Sequence, residues 1–167
     1  MKNKLPIAFT ERIPLDSTGI YSYVKLMSPD VSQRKSVIAK AMWDTGATLS
    51  TISSRIFEEL KLPAGDNIKL SAPFGAFQSF KSKALVSICK NGVRIDTTVA
   101  IADFSDCKDN TEVTLGLDFI SKGDFALSHD DNGYPIFSFS WPPRLEIDFL
   151  KIARTLNIAV ASKQYND

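Results

Sequence analysis

Ala41-Met42-Trp43-Asp44-Thr45-Gly46-Ala47-Thr48 is the stretch whose reading decides the fold of this chain. An apolar run delivers one carboxylate into an Asp-Thr-Gly turn, and small hydroxyl- or methyl-bearing residues follow. The acid stands where burial penalises its ionised form. Gly46 lets the backbone turn sharply behind it, because glycine tolerates angles that other residues avoid. Such a sequence holds an aspartate rigidly at the floor of a cleft. Asp-Thr-Gly is also an ordinary surface-hairpin signal. A Trp directly before the acid argues against that simpler reading.

A second stretch, Val113-Thr114-Leu115-Gly116-Leu117-Asp118-Phe119-Ile120, is another apolar run, broken by one glycine and then by one acid. Glycine inside a strand marks close approach of another backbone. Gly116 therefore lets the loop that holds Asp44 pack against this segment. Asp118 is expected to cap a short helix at Phe119-Ile120-Ser121-Lys122.

Together the two stretches resemble the single-domain, retropepsin-like aspartic peptidases, with apolar-apolar-Asp-Thr-Gly-Ala-Thr followed some seventy residues later by apolar-Gly-apolar-Asp-Phe. The resemblance runs from about Lys35 to Phe139 and is nearest to the bacterial and cellular type. There Leu115-Gly116-Leu117-Asp118-Phe119 stands where retroviral enzymes often carry Gly-Arg-Asn. Ser121 to Leu127 and Ile136 to Phe139 are similar to the tail of the bacterial members. The resemblance implies an all-β fold, a retropepsin-like closed β-barrel or sandwich with a short helix, and a C-terminal helical extension is expected beyond the family's core. The chain is read as N-terminal strands (1–30), the protease-like domain (31–141) and the helical extension (142–167), together one compact domain.

Length and composition agree with one soluble domain. The chain has 167 residues, enough to bury a core. Its twenty basic and nineteen acidic side chains leave a formal net charge of +1, without the basic excess of a nucleic-acid surface. Two cysteines, Cys89 and Cys107, are too few for a disulfide framework and are read as reduced thiols. One histidine, His129, and no Cys/His cluster point away from a zinc site, and no metal or other cofactor is expected. His129 beside Asp130-Asp131-Asn132-Gly133 reads as part of a turn. Charges at Lys2, Lys4, Glu11, Arg12 and Asp16 leave no signal peptide and no membrane span, so a cytoplasmic location is expected.

Along the chain, short strands alternate with turn chemistry, the mark of an all-β domain. Leu5 to Phe9 and Ile20 to Met27 read as one or two strands, and Val37 to Trp43 leads to Asp44. Leu49 to Ser53 looks extended, and Ser53 or Ser54 caps a helix over Arg55 to Leu60. Ile68 to Ser71 opens a hairpin, and Ser82 to Lys90 returns from it. Asn91-Gly92 is the strongest hairpin turn signal, with Val93 to Ile101 as its second arm. Pro142-Pro143 stops a strand over Ile136 to Trp141. Ile147, Leu150, Ala153 and Leu156 recur at helical spacing, so residues 145–157 read as an amphipathic helix.

Between the first hairpin's arms lie Phe74, Gly75, Ala76 and Phe77, unusually aromatic for a tip. Their place after Asp-Thr-Gly matches the substrate-binding flap of the family, without the glycine-rich flap of many retroviral enzymes. The alternative is a tip whose phenylalanines tuck into the domain's own core.

The family's chemistry needs two facing carboxylates that share one proton, one acting as base and one as acid. This chain has one Asp-Thr-Gly, and Gly116-Leu117-Asp118 lacks the Thr-Gly that would make it the other half. The resemblance therefore implies a homodimer, each protomer giving Asp44. Thr45 would tie the two loops together, the Gly46 amide would hold the outer carboxylate oxygen, and Ala47 and Thr48 would complete the turn. Leu115, Gly116, Leu117 and Asp118 would support the loop. The substrate implied is an extended peptide or unfolded protein. A catalytically silent peptide-binding or dimerisation module on the same fold is the alternative.

Overall fold

The computed structural model describes residues 7–30, 32–33, 35–72, 75–88, 94–107, 109–143, 148, 150–151 and 154–155. The elements run β1 (Ile7–Arg12), β2 (Ile20–Met27), β3 (Ser36–Trp43), β4 (Ser50–Ser53), α1 (Ser54–Glu59), β5 (Asn67–Ala72), β6 (Gly75–Ile88), β7 (Arg94–Ala102), β8 (Thr111–Leu115), α2 (Leu117–Ile120), β9 (Asp124–His129) and β10 (Pro135–Trp141).

Among the described residues, six strands close on themselves. Their order is β2-β3-β8-β4-β7-β6, and β6 returns to β2 through Val24–Met27 against Leu85–Ile88. Closure removes the open edges that invite association with other chains. Two of the pairings are parallel, β3 with β8 and β4 with β7. The expected all-β closed barrel is thus the observed one. Beside it lies a three-stranded sheet, β1-β10-β9. β5 hangs from the outer part of β6 as a hairpin arm.

Alternating polarity explains the barrel strands. Val37, Ala39, Ala41 and Trp43 of β3 are buried, whereas Ser36 and Ile38 are exposed. In β2, Ser22, Val24 and Leu26 point inward and Tyr23 and Lys25 outward. The core joins barrel and sheet through an aromatic cluster. The Trp43 ring lies 5.0 Å from Phe139, 5.6 Å from Phe137, 5.7 Å from Phe125, 5.8 Å from Phe119 and 6.2 Å from Phe9, centroid to centroid.

Several boundaries differ from the expectation. β6 begins at Gly75 rather than Ser82, because the aromatic segment is itself strand: Ala72 pairs with Gly75 and Leu70 with Phe77. The residues between the arms shrink accordingly to positions 73 and 74. α2 begins at Leu117, with Gly116 as its N-cap, so Asp118 sits inside the first turn and caps nothing. α1 starts after Ser53, whose hydroxyl accepts the Ile56 N–H. Asn91-Gly92, Cys89 and most of the helix expected over 145–157 lie outside the described residues. Leu150, Lys151, Arg154 and Thr155 are helical. No helix among the described residues is long and apolar enough to cross a membrane.

Candidate active site

Asp44 follows the last residue of β3. Strand alternation turns Trp43 into the core, so the next side chain emerges on the opposite side. Asp44 is half-buried, not sunk in apolar surroundings as the sequence suggested, and Thr45 and Gly46 are exposed. The Asp44 N–H donates to the Leu115 carbonyl at 3.0 Å, anchoring the turn to the end of β8. The carboxylate is oriented by its own loop: Oδ1 accepts the Gly46 N–H at 2.8 Å. Gly46 has no positive φ; its service is space, since a Cβ there would stand 3.2 Å from Asp44 Oδ1. The Thr45 hydroxyl makes no hydrogen bond among the described residues. Ala47 closes the turn by donating its N–H to the Asp44 carbonyl at 3.3 Å. Thr48 is exposed.

The second stretch lies directly under this loop. Leu117 N–H donates to the Ala47 carbonyl at 2.8 Å. A Cβ on Gly116 would sit 2.8 Å from the Ala47 carbonyl oxygen and 2.8 Å from the Leu49 carbonyl carbon. Only glycine permits two backbones this close. Asp118 Oδ1 accepts both the Ser50 N–H (2.8 Å) and the Ser50 hydroxyl (2.7 Å). The same hydroxyl accepts the Gly116 N–H at 3.1 Å. One buried serine thus knots the Asp44 loop to the segment holding Leu115, Gly116, Leu117 and Asp118.

The fold resembles that of retropepsin-like proteases. A retropepsin-like aspartic protease from Rickettsia conorii is similar at 14% identity and TM-score 0.48, over 81% of this chain and 94% of that one. The protease of EIAV in complex with an inhibitor is similar at 19% identity and TM-score 0.45, over 65% and 90%. The protease of simian foamy virus follows at 14% identity and TM-score 0.43, over 61% and 92%. No protein-family model and no curated protein matches the chain.

The hairpin of β5 and β6 carries Gly75, Ala76 and Phe77; Phe74 lies outside the described residues. Opposed residues share a face, so Ile68, Leu70, Gly75, Phe77 and Ser79 line one side. Lys69, Ser71, Ala76, Gln78 and Phe80 line the other. Phe77 is 41% exposed. Phe80 packs edge-on against Phe57 of α1 at 4.9 Å and ties the base of the hairpin to the body. The two phenylalanines thus differ in their surroundings, Phe77 partly exposed and Phe80 packed on the body.

Sequence reasoning missed Ser50 and the group around Glu112. Arg55 grips Glu112 with two bonds (2.7 and 2.6 Å) and Glu59 with a third (2.8 Å), while Ser53 donates to Glu112 at 3.1 Å. The Arg55 hydrogen bonds hold the Glu112 carboxyl below the usual carboxylate range. Neither residue belongs to a local motif, and 57 positions separate them. Their pairing follows from β4 lying against β8.

Proposed function

We propose that the protein is a homodimeric aspartic endopeptidase in which two Asp44 side chains, one per protomer, activate a water. The observation that carries this reading is the Asp44 carboxylate itself. It is oriented by the Gly46 N–H, braced by Leu115 and Gly116, and open to solvent with Thr45 and Gly46 at the protomer's surface. The chain offers one such turn, so the second carboxylate comes from a second copy. Like charges brought close favour a state in which one is protonated and its partner ionised. The ionised group takes a proton from water as the water oxygen attacks the peptide carbonyl. The protonated group gives its proton to the departing nitrogen as the C–N bond breaks. Thr45, with its hydroxyl unused within the described residues, bonds across the two-fold axis. Substrate lies as an extended strand beneath the β5–β6 hairpin, whose Ile68, Leu70 and Phe77 face favours apolar side chains.

The test is cleavage of a labelled unfolded polypeptide by wild type, by Asp44→Asn, and by mixtures co-refolded from both. Asp44→Asn should be inactive. An equal mixture should show roughly half the activity that the wild-type content alone supplies, because mixed pairs are dead. Asp44→Asn cleaving at the wild-type rate would overturn the proposal. A demonstrated dimer that neither cleaves nor binds a statine-type peptide mimic would establish the silent module instead.

A further inference from the structure

α2 is a single turn, and its side chains go to different places. Phe119 and Ile120 are buried, Phe119 against the Trp43 ring. Asp118 is turned to Ser50, whose N–H and hydroxyl it accepts. Leu117 is 42% exposed. A single exposed leucine is ordinary on a protein surface, and its place is what distinguishes this one.

Leu117 is fixed to the turn that carries Asp44. The Ala47 N–H closes that turn on the Asp44 carbonyl, and the Ala47 carbonyl accepts the Leu117 N–H at 2.8 Å. A turn spans less than about 7 Å and a hydrogen-bonded backbone pair about 5.5 Å, so Leu117 lies within roughly 13 Å of Asp44, Cα to Cα. Gly116, pressed on the Ala47 and Leu49 backbones, leaves this arrangement no slack. A side chain held in place beforehand loses little freedom when a partner covers it.

Two carboxylates that share a proton stand about 3 Å apart. The surfaces around them must then meet as well. A stable contact covers about 800 Å² of each partner, a disc of roughly 16 Å radius. Centred on Asp44, such a disc reaches Leu117. The turn itself exposes only the small residues Thr45, Gly46 and Thr48. Leu117 supplies the apolar area beside them.

We propose that Leu117 is buried against a second copy of this chain, as an apolar anchor of the contact that brings the two Asp44 turns together. This rests on the homodimeric reading of Asp44. Sedimentation equilibrium of wild type, Leu117→Met, Leu117→Ala and Leu117→Lys tests it, with near-ultraviolet circular dichroism to check that the aromatic packing is kept. Leu117→Met should associate within about threefold of wild type. Leu117→Ala should weaken association about tenfold, and Leu117→Lys at least about a hundredfold, since both copies carry the change and each lysine is stripped of water without a counter-charge. All spectra should match wild type. Concentrated above its own dissociation constant, Leu117→Ala should cleave an unfolded polypeptide with the wild-type kcat and KM.

A wild-type dimer whose Leu117→Ala and Leu117→Lys variants associate equally well would overturn the anchor and leave the Asp44 reading standing. A raised KM in an undiminished Leu117→Ala dimer would assign the side chain to substrate and also overturn it. Association that weakens as expected while Asp44→Asn cleaves at the wild-type rate would uphold the anchor and sink only the chemistry at Asp44. A wild type that stays monomeric at millimolar concentration would overturn both.

Discussion

Ser50 is fully buried, and its hydroxyl serves Asp118 and Gly116 at once. Ser50→Ala would deprive the Asp118 carboxylate of one donor and leave the Gly116 N–H unpaired in the interior. Such orphaned groups cost on the order of 1–3 kcal/mol each. The variant should show that loss in urea unfolding and, on the proposed function, a rate of peptide cleavage that falls more steeply than the folded fraction, because the platform under Asp44 loosens. An unchanged unfolding midpoint would contradict the role given to this hydroxyl. Asp109 permits a second residue-level test. The Lys40 ammonium and, less strongly, Thr111 bring its carboxyl down to about 2. A folded-state value below the unfolded one stabilises at pH values above the unfolded pKa, and that stabilisation disappears as pH falls towards the folded value. The pair's contribution is therefore complete above about pH 4 and vanishes as the pH falls to about 2. Asp109 is well exposed, so solvent screening limits the effect to a few tenths of a kcal/mol. Lys40→Met should flatten the acid side of a urea-midpoint against pH plot by that amount. Asp44 and Gly116 were legible as singular residues, because each breaks an apolar run. Ser50 was not, since nothing local distinguishes it from the serines around it.

The β5–β6 hairpin separates two uses of phenylalanine within four residues. Phe77 lies on the apolar face and is partly exposed, while Phe80 touches Phe57. Phe77→Ser should leave the melting temperature within a degree or two of wild type and, on the proposed function, raise KM several-fold for peptides with apolar side chains. Phe80→Ser should cost about 1–2 kcal/mol of stability by removing half-buried aromatic area. Equal effects of the two changes on melting would show that the apolar face packs on the body rather than on substrate. The sequence placed the start of β6 seven residues late. Glycine and three aromatics read as a loop, whereas cross-strand pairing of Leu70 with Phe77 and Asn67 with Phe80 extends the strand to the tip. Tertiary pairing overrode local composition there. α2 shows the reverse error. Asp118 looks like a helix cap by type, yet its carboxylate has a better use on Ser50, and Gly116 occupies the cap position.

For the whole molecule, the proposal makes activity a property of concentration. Specific activity should fall on dilution in step with the sedimentation coefficient, and both should recover on reconcentration. Activity proportional to concentration throughout dissociation would separate catalysis from the dimer. The all-β class was readable from strand periodicity and turns. The closed order β2-β3-β8-β4-β7-β6 was not, since parallel pairs such as β3 with β8 join segments some seventy residues apart and leave no short-range signature. The pairing of β1 with β10 spans a longer separation still, joining Ile7 to Trp141. Synthesis proceeds from one end, so Trp43 emerges long before Phe137 and Phe139, which pack against its ring. A nascent chain therefore displays its aspartate turn before the rings behind it have arrived, and the emergence of β10 decides when the cluster around Trp43 can close.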